Sequence, residues 1–161
     1  MLFKNKVYIA AMAMLLMSFV LSACGRDESL DKYKSSMEQY YTNLANINYQ
    51  MNSLDENSEN SSVELLSLLD ELDSLTSEMA ELEVPKQFEL CESLADEAAE
   101  NMSSAVGLYH QLYSSDEYNE SVAEGAYEYY ERANKRIVYI KSILHGDTPD
   151  ELINNGLDDD N

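Results

Sequence analysis

Residues 61–82 read SSVELLSLLDELDSLTSEMAEL, and the spacing of their apolar side chains decides the fold class. Leu65, Leu68, Leu72, Leu75, Met79 and Leu82 recur at alternating steps of three and four, the period of one helix face, whereas a strand places like residues at every second position. Leu66 and Leu69 widen the stripe to the width of a core-facing helix. Ser61 followed by Glu64 has capping-box spacing, so the helix is expected to start there. Such a face is stable in water only if neighbouring segments cover it.

The flanking sequence offers those neighbours. Upstream, Leu30, Tyr33, Met37, Tyr40, Leu44, Ile47, Met51 and Leu54 follow the same alternation and predict a helix over about residues 28–55. A polar stretch rich in Asn and Ser, residues 55–62, then reads as a loop. Downstream, Val84-Pro85 interrupts the pattern, because proline disfavours a helical residue before it yet suits a first helical turn. A third helix is expected over about residues 85–113, its seam Phe88, Cys91, Ala95, Ala98, Met102, Ala105, Tyr109 and Leu112 small in the middle and open to close approach. Ser114 and Glu117 repeat the capping spacing, and Tyr118, Val122, Ala126, Tyr129, Ala133, Ile137, Ile140 and Leu144 predict a fourth helix ending at His145-Gly146. Thr148-Pro149 suits a short further turn through Leu152 or Ile153, followed by an acidic tail.

With little glycine or proline punctuation, the chain predicts an all-α fold: an up-and-down antiparallel bundle of about four long helices. An elongated three-helix or dimeric coiled-coil arrangement satisfies the same seams and is the alternative. The domain organisation follows: a leader over residues 1–23, a tether over 24–29, the helical bundle over 30–146 and a short turn with acidic tail over 147–161.

The leader has its own logic. Lys4 and Lys6 precede seventeen uncharged positions, Val7 to Ala23, which end in Leu21-Ser22-Ala23-Cys24. A basic start, an apolar middle and small residues before a cleavage point form a signal peptide layout. A spanning helix wants about 20 apolar residues and a basic flank, which Gly25, Arg26, Asp27 and Glu28 do not supply. Leu21-Ser22-Ala23-Cys24 resembles the lipobox of bacterial lipoproteins. The resemblance implies a diacylglyceryl thioether on Cys24 and cleavage between Ala23 and Cys24, with the thiolate as nucleophile and the small residues admitted to the peptidase cleft. Two acyl chains then hold the chain on the outer face of a membrane. The stretch from Val84-Pro85 through His145-Gly146, with an Ala-rich third and a Tyr-rich fourth helix, resembles small helical lipoproteins of low-GC Gram-positive bacteria, which implies a cell-surface bundle.

Removing the 23 leader residues, which carry two of the ten basic side chains and none of the 31 acidic ones, leaves 138 residues with a formal charge of −23. Such a surface repels nucleic acid and anionic lipid headgroups, so nucleic acid is excluded as a partner. With Cys24 committed to lipid, Cys91 has no disulfide partner.

Catalytic and metal-binding constellations are missing from the pattern. His110 and His145 stand alone, without the carboxylate-histidine spacing of di-metal bundles. Asp70-Glu71-Asp73 and Asp96-Glu97 with Glu100 lack the loop spacing of an oxygen cage and read as solvated helix faces, and the Asp158-Asp159-Asp160 triplet as a solubilising tail. Cys91 lies in an apolar seam beside anionic Glu89 and Glu92, the setting of an inert thiol. There is no nucleophile elbow or phosphate loop. No enzyme activity, metal or cofactor is expected.

Eleven tyrosines and no tryptophan occupy the chain after the leader, and Tyr41, Tyr49, Tyr113, Tyr127 and Tyr130 fall off the strict seams. Tyrosine combines contact area with a polar tip, so these five are the candidate interaction surface, against the plainer reading that they pack at the core edge. Arg132, Lys135, Arg136 and Lys141 cluster in the fourth helix, whereas residues 35–85 and 87–131 hold no lysine or arginine; they read as charge balance against neighbouring helices. The expected function is a membrane-anchored, non-enzymatic module for an envelope or surface protein. The alternative is a binding module for a small or polymeric ligand, whether cationic peptide, glycan or metal.

Overall fold

The computed structural model describes residues 27–55, 57–115, 117–149 and 152. The leader, its cleavage point, Cys24 and the tail beyond Leu152 lie outside the described residues. Among the described residues no helix is long and apolar enough to cross a membrane.

The chain divides after Lys32. The described part of the first unit opens helix α1 (Glu28–Asn52). Here the Asp27 carboxylate accepts from the Ser29 hydroxyl at 2.6 Å and from the Leu30 amide at 3.3 Å. It thereby satisfies an amide that the first turn leaves without a helical partner. These hydrogen bonds, the one from Ser29 foremost, hold the Asp27 pKa below the ordinary carboxylate value.

The second unit contains the rest of α1 together with α2 (Ser61–Ala80), α3 (Leu90–Ser114) and α4 (Glu120–Leu144), and no strand occurs among the described residues. Short connections make sequential helices antiparallel neighbours, and side-chain pairs close the ring. Tyr40 of α1 lies beside Thr76 of α2, Asp70 of α2 meets His110 of α3, Glu97 of α3 meets Arg136 of α4, and Tyr41 of α1 reaches the Ile137 carbonyl of α4. This is a four-helix bundle within one chain.

The expected seams form its core, except that Tyr129 of the α4 seam is exposed, its ring under the Arg132 guanidinium. Tyr33, Met37, Tyr40 and Ile47 of α1 join Leu69, Leu72 and Met79 of α2 in one buried cluster, and Leu72 is completely buried, a burial that stabilises by about 1.5–3 kcal/mol on its own. In α3 and α4 the centre is lined by Ala95, Ala98, Ala105, Ala126 and Ala133, all buried. Methyl side chains let two backbones come near, and α3 with α4 is the most closely approached pair of helices. At Gly125 a methyl group would come within 3.4 Å of the Leu108 side chain. The helix α1 edge is built differently, from rings and methionines that keep its backbone further from its neighbours.

The helix ends differ from expectation in three places. Helix α2 is preceded by Asn60 without a side-chain cap, so the Ser61 and Glu64 box is not formed. Pro85 is extended at ψ 144, and a 3-10 turn over Lys86–Phe88, closed by the Phe88 amide on the Pro85 carbonyl at 2.7 Å, delays α3 to Leu90. The tighter turn sets the Phe88 ring against Tyr33, centroids 5.9 Å apart. Helix α4 is capped by Asn119, whose side chain accepts from the Val122 amide at 3.2 Å, and not by Ser114. Tyr118 thus falls before the helix and is 77% exposed, outside the seam assigned to it.

The C-terminus of α4 ends as expected. Gly146 takes φ 91, the Gly146 amide donates to Ile143 and the Asp147 amide to Ser142, each at 3.0 Å. That is a Schellman closure, which needs a residue without Cβ strain at the left-handed position. The short turn beyond it is present, with the Leu152 amide on the Pro149 carbonyl at 3.0 Å.

Candidate interaction surface

The five tyrosines separate into two groups. Tyr41 and Tyr130 are half-buried against the core, whereas Tyr49, Tyr113 and Tyr127 are 72%, 43% and 58% exposed. The exposed three belong to the end of the bundle where α1 and α3 finish and α2 and α4 begin. Leu54 connects two of them: it lines an open groove with Tyr49 and a second with Tyr113. Tyr127 and Tyr113 lie near enough to Tyr109 to act on its ionisation, together with Tyr130.

The Tyr49 groove has the more defined chemistry. It occupies about 510 Å³ between the last turn of α1 and the first three turns of α2, and its lining includes Tyr49, Leu54, Leu68, Glu64 and Glu71. Seven residues at 1.5 Å rise put the two carboxylate-bearing positions about 10.5 Å apart along α2, on one face. Glu64 reads from sequence as a capping residue and Glu71 as part of a solvated cluster. Their shared face with Leu68 is the signal that associates them, and it emerges only once α1 is set alongside.

The inward tyrosines have a structural role. The Tyr41 hydroxyl donates to the Ile137 carbonyl at 3.3 Å, and the Lys141 ammonium lies 5.7 Å from the ring centre. Burial foremost raises the Tyr41 pKa above its ordinary value, with Tyr40 adding to it. Tyr40 is pushed up to about 12 by burial. Its hydroxyl has no hydrogen-bond partner among the described residues. Thr76 lies beside it and acts against that rise; the Thr76 hydroxyl donates to the Leu72 carbonyl at 2.8 Å, which leaves its oxygen able to accept. Thr76, fully buried in the α2 seam, is a position that periodicity misses because threonine counts as polar.

The histidines, Asp73 and Cys91 take their settings from the fold. His110 Nε2 lies 2.6 Å from Asp70 Oδ1 and His145 Nδ1 lies 2.7 Å from the Lys141 carbonyl. Asp73 is raised by burial and then by the nearby Asp70, and its Oδ1 is buried without a hydrogen-bond partner among the described residues. Cys91 is completely buried, and burial raises its thiol pKa against a smaller opposing contribution from the Tyr33 hydroxyl. Among the described residues no group of three or more His, Cys, Asp or Glu side chains is arranged to hold a metal ion.

The basic strip of α4 is also spoken for. Arg136 Nε donates to Glu97 at 2.6 Å across to α3. Arg132 donates to Glu128 at 3.4 Å and sits 5.4 Å from the Tyr129 ring centre, and Lys135 lies 5.7 Å from that of Tyr139. With Lys34 over Phe88 at 5.8 Å and Lys141 over Tyr41, the chain repeatedly seats its few cations on aromatic faces. Each such contact at a partly exposed site contributes about 0.5–1 kcal/mol.

The chain matches no protein-family model, no curated protein and no solved structure.

Proposed function

We propose that this chain is a lipoprotein, held by lipid on Cys24 at the extracytoplasmic face of the cell membrane, whose bundle is a non-enzymatic interaction module for another envelope or surface protein. The observation that carries the reading is the exposure of Tyr49, Tyr113 and Tyr127 at one end of a bundle whose inward seams are already filled. Large amphipathic rings with few rotatable bonds are what protein interfaces use as anchors, and they lose little entropy on binding. The histidines and Cys91 are each engaged in helix-end, interhelical or core contacts, which agrees with a role in recognition.

The test is crosslinking on intact envelopes followed by capture of the tagged full chain. One reproducible partner is expected with the wild type and its loss with a Tyr49→Ala, Tyr113→Ala, Tyr127→Ala triple variant. Failure of the wild type to capture any reproducible partner overturns the interaction reading. For the anchor, the intact mass of membrane-extracted protein is expected to equal residues 24–161 plus a diacylglyceryl group and to lose that group in a Cys24→Ser form. An unlipidated mass retaining Met1 refutes it.

A further inference from the structure

Resting on that interaction reading, we propose that the Tyr49 groove receives a cationic segment of the partner, a lysine or arginine side chain lying over the Tyr49 ring and reaching Glu64 or Glu71. Charge and shape both select this occupant. The groove is lined by the Tyr49 ring, by Leu54 and Leu68, and by two carboxylates, and no lysine or arginine occurs in residues 35–85 to complete it from the adjoining turns of α1 or from α2.

The chain shows the completed arrangement elsewhere. On α4 the Arg132 guanidinium lies 5.4 Å from the Tyr129 ring centre while its Nη2 donates to Glu128 at 3.4 Å. Ring, carboxylate and cation come together there on one helix surface. Helices α1 and α2 supply the ring and the carboxylates from two elements and leave the cation to come from outside. The methylene stem of the incoming side chain covers the two leucines, so the fit is to a long basic side chain and not to a compact ion. A second basic residue spaced to meet carboxylates about 10.5 Å apart engages both ends of the groove.

The test is fluorescence anisotropy with the full chain extracted in detergent and labelled hexa-arginine as probe, at physiological ionic strength. Tyr49 is 72% exposed and Glu64 and Glu71 are exposed, so their substitution leaves the core intact, which urea midpoints verify. Tyr49→Ala is expected to weaken binding about three- to fivefold, the value of one exposed cation–ring contact. Glu64→Gln with Glu71→Gln is expected to weaken it about tenfold. Glu92→Gln with Glu100→Gln on α3 removes the same charge and is expected to change it less than about twofold. Equal loss from the two charge pairs overturns the proposal, because general acidity then attracts the peptide. Displacement of the peptide by calcium alone at comparable concentration overturns it in favour of a simple cation site. Groove variants that leave peptide binding untouched, while the triple tyrosine variant still loses the envelope partner, refute this occupant and leave the interaction reading standing.

Discussion

Tyr40 and Tyr41 are consecutive in sequence, and removal of their hydroxyls is expected to change stability in opposite directions. Tyr40 is 3% exposed and its hydroxyl lies in the core without a hydrogen-bond partner among the described residues. A buried polar group left unpaired costs about 1–3 kcal/mol, while replacement by an apolar group of the same shape removes that cost. Tyr40→Phe keeps the ring and its edge-on contact with Tyr41 at 5.3 Å, and leaves a void of one oxygen atom. The net expectation is stabilisation by about 1 kcal/mol. Tyr41→Phe deletes a hydroxyl that donates to the Ile137 carbonyl at 3.3 Å, a long bond whose loss costs about 0.5–1 kcal/mol. Urea unfolding followed by circular dichroism, with the slope unchanged so that midpoints report stability, separates the pair. Destabilisation of Tyr40→Phe by as much as Tyr41→Phe refutes the reasoning, because the Tyr40 hydroxyl then has a partner, the adjacent Thr76 oxygen being the nearest.

Three further outcomes are expected. Gly107 is exposed within α3, and a methyl group added there meets nothing within 4 Å, so Gly107→Ala should raise the urea-derived stability by about 0.5–1 kcal/mol through helix propensity alone. Tyr33, Tyr40, Tyr41 and Tyr109 all have pKa values raised above 10.0 by burial. Their contribution is complete below the unfolded value and lost as pH rises through the folded ones, so stability should fall from pH 10 upward, in step with tyrosinate absorbance. Asp73 is likewise raised from 3.8, so its carboxylate favours the fold only while protonated. Asp73→Asn should therefore be more stable than the parent at neutral pH, the two converging below the ordinary carboxylate pKa, as urea midpoints at both conditions would register.

The helical architecture was legible because four segments each repeat at steps of three and four, and because Gly146 marks a stop that only a residue without Cβ takes without strain. Helix starts were less legible. Ser61 and Ser114 carry capping residues at the right spacing, yet Asn60 precedes α2 and Asn119 caps α4, since which of several adjacent polar residues starts a helix depends on where the chain must turn to reach its neighbour. Pro85 misled for the same reason: its φ suits a helix, but Phe88 is drawn to Tyr33, and a 3-10 turn intervenes. The tyrosines were legible as a set and not individually. Tyr41 and Tyr49 are both off the seam of α1, yet only Tyr41 meets α4, because contact across helices depends on which neighbour lies alongside. The groove of Tyr49 with Glu64 and Glu71 takes its members from two helices, and no single-helix periodicity contains it.

Cys91 gives the bundle a built-in gauge of its own opening. Its sulfur is sealed beneath Tyr33 between α1 and α3, so a thiol reagent reacts only during the moments when those helices part. In a Cys24→Ser form it is the sole thiol in the chain. Where reclosing outpaces labelling, the labelling rate divided by that of a free cysteine peptide is the fraction of time the bundle stands open. One reagent and a time course of mass would thus report how often the bundle stands open in detergent or in the envelope, with no probe attached.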